Sequence, residues 1–117
     1  MRFSLKKADK ILKRSEFLRL STKGKKTQNR HFIAIYSTGQ FQRTRLGVTV
    51  TKNVGCAATR NRIKRFSREH FRLNRHIFSG GWDINIIAKK RAAELTSKEA
   101  FLSLENIFND IAMGRDS

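Results

Sequence analysis

The feature that most constrains this chain is a run of basic residues between positions 60 and 75, interrupted by apolar residues at helical spacing. At about 100° per residue, Ile63, Phe66, His70, Leu73 and Ile77 fall on one side of a helix, which predicts a buried stripe. The basic residues gather mainly on the opposite side, namely Arg60, Lys64, Arg65, Arg68, Arg72 and Arg75, with Asn61 among them and Arg62 at the boundary. The pattern predicts a helix that lies on a protein core and presents dense positive charge outward.

The charges on this helix repel one another, because only Glu69 opposes them. Like charges four residues apart cost about 0.2–0.5 kcal/mol per pair in a free helix, and Arg60, Lys64, Arg68 and Arg72 form successive pairs of this kind. A helix face that stays in water commonly interleaves Glu with Lys, which this one does not. Arginine also suits bidentate contacts to phosphate. The helix is therefore predicted to bind a polyanion.

Composition narrows the choice of polyanion. The chain has 117 residues, which suits one domain over 1–117, and its 26 Lys and Arg against 9 Asp and Glu give a net charge of +17. An anionic membrane would call for about 20 consecutive apolar residues or a strongly apolar helix face, and neither is present. We therefore expect nucleic acid as the partner, and no membrane. A lone cysteine, Cys56, excludes an internal disulfide and a thiolate zinc site. The N-terminus lacks the apolar stretch of a secretory signal, so a cytoplasmic location is expected.

The order of predicted elements indicates the fold class. Residues 1–13 are predicted to be a flexible basic arm. Ser15 is predicted as the N-cap of a short helix that ends near Gly24, and a loop follows over 23–26. Strands are predicted over 30–38, 44–51 and 83–89, and helices over 58–76 and from Thr96 onward, where Glu99 completes a capping box. The first two strands are joined closely and are predicted to pair antiparallel. The order implies an α+β fold, a two-layer α-β sandwich of one mixed sheet of about four strands with the long basic helix packed on it.

The residues offer no catalytic cluster. A protein nuclease needs clustered carboxylates for metal ions, or histidines with a lysine for acid–base cleavage. Glu69 and Asp83 are far apart in sequence, and His70 lies on the apolar stripe as a half-buried residue rather than a base. Phe71 is predicted to project toward the basic side, where stacking on a nucleobase and packing under a loop are both open. No catalytic residue is predicted, and the chemistry must come from elsewhere.

One segment is more specific than charge or periodicity. The stretch 52–65 resembles the signature of the bacterial ribonuclease P protein subunit family, and its most specific part is Arg60-Asn61-Arg62 followed by Ile63-Lys64-Arg65. Residues 46–50 and 84–89 resemble the family's strands before and after the signature. The resemblance spans nearly the whole chain.

The resemblance implies a function and its partners. A protein of this family binds a large catalytic RNA, and together they remove the 5′ leader from precursor tRNA. The RNA performs the hydrolysis with Mg²⁺ that is bound mainly by the RNA; any metal site on the protein is unknown. The protein is expected to be monomeric outside the holoenzyme. The family fold also implies a left-handed βαβ crossover, against the general rule.

Site residues follow from the resemblance position by position. The expected contacts to the catalytic RNA are Arg60, Asn61, Arg62, Lys64, Arg65, Arg68 and Arg72. The expected contacts to the leader, in a cleft between the first helix and the sheet, are Phe17, Ile33, Ile35, Thr49, Thr51 and Lys52. Ser21 stands where a second aromatic is expected, Ile35 where some relatives have tyrosine, and Asn53 where relatives often have lysine. Leader binding through shape and backbone, rather than base stacking, is therefore expected.

Two other classes of function fit parts of the sequence. A structural ribosomal protein with no role in a reaction shares the basic charge, the size and the fold class. A standalone RNA-cleaving enzyme would share the partner, but the missing acid–base cluster argues against it. Only the signature and its flanks separate the first alternative from the ribonuclease P interpretation.

Overall fold

A computed structural model describes residues 6–39, 43–78 and 80–113 of the chain. The helices are α1 (Arg14–Lys23), α2 (Ala57–Asn74) and α3 (Ser97–Ala112), and the strands are β1 (Lys25–Gln28), β2 (Phe32–Thr38), β3 (Arg45–Thr49) and β4 (Trp82–Ala88). Short 3-10 turns cover Lys7–Asp9, Lys52–Val54, Arg75–Ile77 and Lys90–Glu94. Over these residues, no helix is long and apolar enough to cross a membrane.

The four strands form one mixed sheet in the order β1-β2-β4-β3. β2 is antiparallel to β1 and to β4, whereas β3 runs parallel to β4. The α+β sandwich with one mixed sheet is thus confirmed. The predicted antiparallel pairing of strands 30–38 and 44–51, which correspond to β2 and β3, is wrong, because β4 lies between them. β4 takes the centre because Ile84, Ile86 and Ile87 give it apolar residues on both faces. The β3-α2-β4 crossover connects two neighbouring parallel strands. The left-handedness of this crossover stays a prediction from the resemblance.

Two further local predictions are corrected. A loop was predicted over 23–26, but residues 25 and 26 belong to the edge strand β1, in which Thr27 is buried and donates a hydrogen bond to Asp110 Oδ2 of α3 at 3.3 Å. Because two of its four residues are exposed lysines, the sequence of β1 shows no apolar alternation that would predict a strand. Lysines are also common on edge strands. α1 begins at Arg14 with Lys13, rather than Ser15, as its N-cap residue, and it ends at Lys23 with Gly24 as its C-cap, which agrees with the predicted end near Gly24.

The predicted flexible arm is anchored to the fold through the middle of the stretch that the structure describes. Residues 1–5 lie outside the described residues. Between residues 6 and 13, Asp9 and Ile11 are 2% and 3% exposed, and Lys10 bridges to Leu46 at the outer edge of β3. A flexible arm over residues 6–13 is therefore wrong: one apolar side chain and one internal carboxylate hold this segment against the fold.

The core lies between the sheet and the pair α2 and α3. The buried strand residues on this face are Phe32, Ala34, Tyr36, Leu46, Ile84, Ile86 and Ala88, and α3 adds Ala100, Leu104, Ile107, Phe108 and Ile111. The capping box at the start of α3 is confirmed, with Glu99 N donating to Thr96 Oγ1 at 3.2 Å and Thr96 N donating to Glu99 Oε1 at 3.0 Å. Ile63 and Phe71 of α2 belong to the same core, so α2 packs against both the sheet and α3.

Candidate nucleic-acid interfaces

The long helix forms where it was predicted, over Ala57–Asn74, but its buried side is rotated from the predicted stripe. Its buried residues are Ile63, Ser67, His70 and Phe71. Phe71 is fully buried and packs against Phe78 and Phe108, so the prediction that it faces the basic side is wrong. Leu73, predicted as buried, is 48% exposed. The shift follows from α3, because its contact with α2 draws the buried arc toward residues 67 and 71.

Ser67 explains why hydropathy alone misplaced this arc. Its side chain is fully buried, and its hydroxyl donates to the carbonyl of Ile63 at 3.0 Å. The internal bond satisfies the hydroxyl inside the core, and the small side chain permits close packing. His70 was correctly placed: its ring lies 5.0 Å from that of Phe108 and 5.7 Å from that of Phe101, and burial lowers its pKa below the usual value.

On the outer side of α2, several of the predicted RNA contacts line one open groove of about 420 Å³. The lining residues are Lys10, Asn61, Lys64, Arg65, Arg68, Glu69 and Arg72. Lys10 comes from the N-terminal segment and was not predicted. Glu69 is the one acid in this lining, and it accepts hydrogen bonds from Arg72, one of them from Nε at 3.3 Å. Lys64, Arg65 and Arg68, with the neutral Asn61 beside them, thus form a basic surface in which Glu69 is the one acid among the described lining residues.

Arg60 and Arg62, the other two cations of the signature, are partly buried in the fold. Arg62 donates to the carbonyl of Ala93 at 2.8 Å and lies over the ring of Phe66 at 5.9 Å. Arg60 is half-buried at the start of the helix, with a buried Nε that has no hydrogen-bond partner among the described residues. The signature arginines therefore differ in role: Arg65 points outward, whereas Arg62 also fastens α2 to the turn before α3.

The second predicted site lies on the face of the sheet opposite the core. Phe17, Ile33, Ile35 and Thr49 are all half-buried on this side. The strand register places Ile33 beside Ile87 and Ile87 beside Thr49, so three side chains form a row across β2, β4 and β3. The other two predicted leader contacts, Thr51 and Lys52, are exposed just beyond the end of β3. The structure thus brings Phe17, Ile33, Ile35 and Thr49 to the open face of the sheet, whereas Thr51 and Lys52 follow β3 in the chain.

Glycine makes room for α1 on this face. A Cβ atom on Gly47 would lie 2.5 Å from Cε1 of Phe17, so the ring packs directly on the β3 backbone. At the other end of α1, a Cβ on Gly24 would lie 2.6 Å from Cγ2 of Ile35. A glycine inside a strand pattern signals such a close approach, and that signal in Gly47 was available from the sequence. α1 therefore covers only part of the face.

Charged side chains fix the position of α1. Arg45, nearly buried on β3, donates to both carboxylate oxygens of Asp83 on β4, at 2.9 and 2.8 Å. It also pairs with Glu16 of α1 at 2.8 Å, and this hydrogen bond lowers the pKa of Glu16 despite partial burial. Bidentate pairs of this kind have fixed geometry. The cleft between α1 and the sheet therefore has one rigid, polar end.

Sequence reasoning missed three residues of the open face. Asn85 is buried between Ile35 and Gly47 in the register, and its Oδ1 accepts from the hydroxyl of Thr49 at 3.2 Å. Ile87 completes the central row, and Gln28 on β1 lies beside Ile33. Only the pairing of the strands reveals these neighbours, since β4 and β1 were not predicted to flank β2.

The placement of acidic, histidine and cysteine side chains bears on whether the protein itself could hold a metal ion. Within 6–39, 43–78 and 80–113, no group of three or more His, Cys, Asp and Glu side chains could hold a metal ion. The side chains in these ranges therefore do not fit a protein-held Mg²⁺.

The geometry defines a class: a small α+β protein with a basic groove along one helix and a half-apolar surface on the open face of its sheet. The family model described as Ribonuclease P matches residues 5–112. The chain is 48% identical to the ribonuclease P protein component of Desulfatibacillum aliphaticivorans, over 96% of this chain and 95% of that protein.

Solved structures agree. The RNase P protein of Staphylococcus aureus is 33% identical with a TM-score of 0.85, covering 90% of this chain and 96% of that one. That of Thermotoga maritima is 29% identical with a TM-score of 0.77, covering 84% and 93%. The chain belongs to the ribonuclease P protein family, whose members are subunits of an RNA–protein endoribonuclease.

Proposed function

We propose that this chain binds the catalytic RNA of ribonuclease P through the groove of α2 and the 5′ leader of precursor tRNA through the open face of the sheet. The observation that carries the first part is the cluster of Asn61, Lys64, Arg65 and Arg68 in a groove whose lining acid already pairs with Arg72. Guanidinium groups held on a rigid helix suit the phosphates of a folded RNA. The complex acts in the cytoplasm, and the protein is a monomer before it joins the RNA.

We assign the leader to the open face of the sheet because the side chains there suit contacts with a single RNA strand. The row of Ile33, Ile87 and Thr49 offers apolar and hydroxyl contacts, Phe17 offers one aromatic edge, and Lys52 adds a charge just beyond β3. Such a surface contacts sugars, bases and backbone with little sequence preference. The two sites lie on different sides of the molecule, so both RNAs can be bound together.

The protein's part in the reaction is to bind and orient. Mg²⁺ held by the RNA would supply the activated water and stabilise the leaving oxygen. By holding the leader beside the catalytic RNA, the protein raises the affinity of the complex for precursor over mature tRNA. The protein also lowers the Mg²⁺ concentration that the complex needs, because its cations replace part of the counterion charge around the RNA.

Binding of the catalytic RNA is tested by titrations at several salt concentrations. Arg65→Ala and Arg68→Ala are each expected to weaken binding and to reduce the slope of log K against log salt by about 0.9 for each phosphate that the variant no longer neutralises. Lys98→Ala is the matched control, because Lys98 is an exposed lysine on α3 with the same charge. Slopes that fall equally in all three variants would show a general charge effect and contradict the assignment of the groove.

Leader binding is tested with paired substrates. Phe17→Ala is expected to reduce the affinity of the assembled complex for precursor tRNA and to leave that for mature tRNA almost unchanged. Equal losses for both substrates would remove Phe17 from the leader site. Incubation of precursor tRNA with the protein alone should release no leader, and release there would instead indicate a protein nuclease.

A further inference from the structure

The N-terminal segment forms part of the sheet's edge. β3 is the outermost strand on its side, and its free edge is covered where Lys10 bridges to Leu46 and Ile11 N donates to the carbonyl of Leu46 at 2.9 Å. Ile11 is 3% exposed and approaches Gly47 beside the ring of Phe17. The backbone around Lys10 is therefore fixed relative to β3, and Lys10 cannot move freely in solution.

Asp9, the residue before Lys10, is a buried carboxylate in a chain that has few acids. Its Oδ1 accepts from Nη2 of Arg75 at 3.0 Å and pairs with Nε of Arg43 at 3.2 Å, and its Oδ2 accepts from the backbone N of Lys6 at 2.8 Å. Burial by itself would raise the pKa of Asp9, but these bonds and the two arginine charges bring it below the ordinary value. The carboxylate stays charged and links three segments of the chain.

One of these segments is the end of α2. Arg75 follows the last residue of that helix, and its guanidinium also lies over the buried ring of Phe71 at 5.5 Å. A carboxylate that holds Arg75 thus holds the N-terminal segment against α2. The consequence is visible in the groove: Lys10 lines it together with Lys64 and Arg68 of α2.

From this geometry we infer that Lys10 and α2 form one phosphate-binding groove and that Asp9 is a positioning residue for it. Asp9 fixes the wall that carries Lys10, so an internal acid increases the affinity of a basic protein for RNA. The inference rests on the proposed function and deepens it, because it adds Lys10, a residue outside the Arg-Asn-Arg signature, to the proposed RNA-binding groove.

A purely electrostatic account makes the opposite prediction for Asp9. Removal of any acid makes the protein more positive and should tighten binding to a polyanion. Glu69 offers the matched comparison, because it is an acid in the same groove that pairs with Arg72 of its own helix. Glu69→Gln is expected to bind the catalytic RNA more tightly than the unmodified protein, because it removes a negative charge from the groove. Asp9→Asn, with the same change in charge, is expected to bind several-fold more weakly.

The test measures the affinity for the catalytic RNA and its salt dependence for Asp9→Asn, Lys10→Ala, the double variant and Glu69→Gln. Asp9→Asn and Lys10→Ala should each reduce the salt slope by about 0.9, the equivalent of one neutralised phosphate. The double variant should lose little more than either single variant, because both changes remove the same interaction. A fold defect alone would not reproduce this shared fall in slope, and thermal melts identify any variant that fails to fold.

Three outcomes would overturn the inference. They are tighter binding by Asp9→Asn than by the unmodified protein, fully additive losses in the double variant, and an unchanged slope in Lys10→Ala. The last of these decides the matter even if Asp9→Asn does not fold. Arg65→Ala measured alongside separates this inference from the proposed function. If Arg65→Ala weakens binding and Lys10→Ala does not, only the second wall is rejected; if neither does, the assignment of α2 itself fails.

Discussion

The two faces of the sheet carry similar strand residues but serve different purposes. On the face under α2 and α3, Ala34, Tyr36, Ile84 and Ile86 are at most 1% exposed. On the other face, the adjacent residues of the same strands remain half-buried, namely Ile33, Ile35 and Ile87. The difference lies in the cover, because two long helices seal one face whereas α1, with 10 residues, crosses the other. Stability is therefore concentrated on the covered face, whereas the open face keeps apolar side chains accessible for the proposed leader contacts.

The two faces also differ in what holds their helices. α3 packs through a continuous set of apolar residues, and α2 adds Ile63 and Phe71. α1 buries only Leu20 and is fixed by the contacts of Phe17 with Gly47 and of Glu16 with Arg45. Apolar packing is non-directional and strong, whereas the polar contacts set a position. The open face is thus a place where geometry can be changed without unfolding the protein.

The largest expected effect is on the closed face. Phe71→Ala should lower the free energy of unfolding by about 3–5 kcal/mol, because it leaves a cavity between Phe78 and Phe108. Chemical denaturation monitored by circular dichroism measures the loss. Phe17→Ala is the matched control on the open face and should cost clearly less; a similar cost for both would break the contrast between the faces.

The next effect concerns the polar end of the cleft. Asp83→Ala should lower the free energy of unfolding by about 2 kcal/mol, because Arg45 keeps Glu16 but loses its bidentate partner. Hydrogen exchange should become faster in α1 and β3 and stay slow in α3. Equal acceleration in α3 would show that the two faces are not separate units of stability.

A smaller effect is expected in binding alone. Gly47→Ala should push the ring of Phe17 away from β3 and lower the affinity for precursor tRNA by about 1 kcal/mol, because the displaced ring changes the shape of the leader surface. In a Phe17→Ala background the same change should have little effect, because the obstructing ring is gone. Titration with leader-bearing and mature tRNA measures both. Undiminished loss in that background would mean that Gly47 acts by another route.

The smallest expected effect is a pH dependence of the closed face. Burial lowers the pKa of His70, and burial followed by the charge of Arg30 lowers that of His31. A histidine with a lowered pKa takes up a proton less readily in the folded protein than in the unfolded chain. The free energy of unfolding is therefore unaffected well above the ordinary histidine pKa of 6.5 and falls as the pH drops below it. His70→Phe should flatten the fall in unfolding free energy between about pH 7 and 5.5. An equally steep fall in this variant would exclude His70 as its source.

Local signals in the sequence were sufficient for several elements. Helix periodicity gave the length of α2 to within a residue or two, Gly24 marked the end of α1, and Thr96 with Glu99 marked the start of α3. These features depend on residues a few positions apart, whose contacts form in any fold that contains the helix. The signature at 60–65 likewise identified the family, because it is contiguous.

Contacts between distant segments were not predictable in the same way. Periodicity gives the spacing of buried residues on α2, but the position of α3 decides that Ser67 and Phe71 are buried and Leu73 is not. Strand patterns likewise do not reveal that β4 enters between β2 and β3, nor that Asp9 meets Arg75 from the far end of the chain.

By itself the sequence determined the helices, the excess of positive charge and the family of this protein, since each is encoded within short stretches. Only the tertiary structure decided which cations face the groove and which are bound within the fold, as Arg62 is to Ala93 and Arg75 to Asp9. It also decided which sheet face stays open. The physical reason is that the direction and pairing of a side chain depend on neighbours brought together by packing.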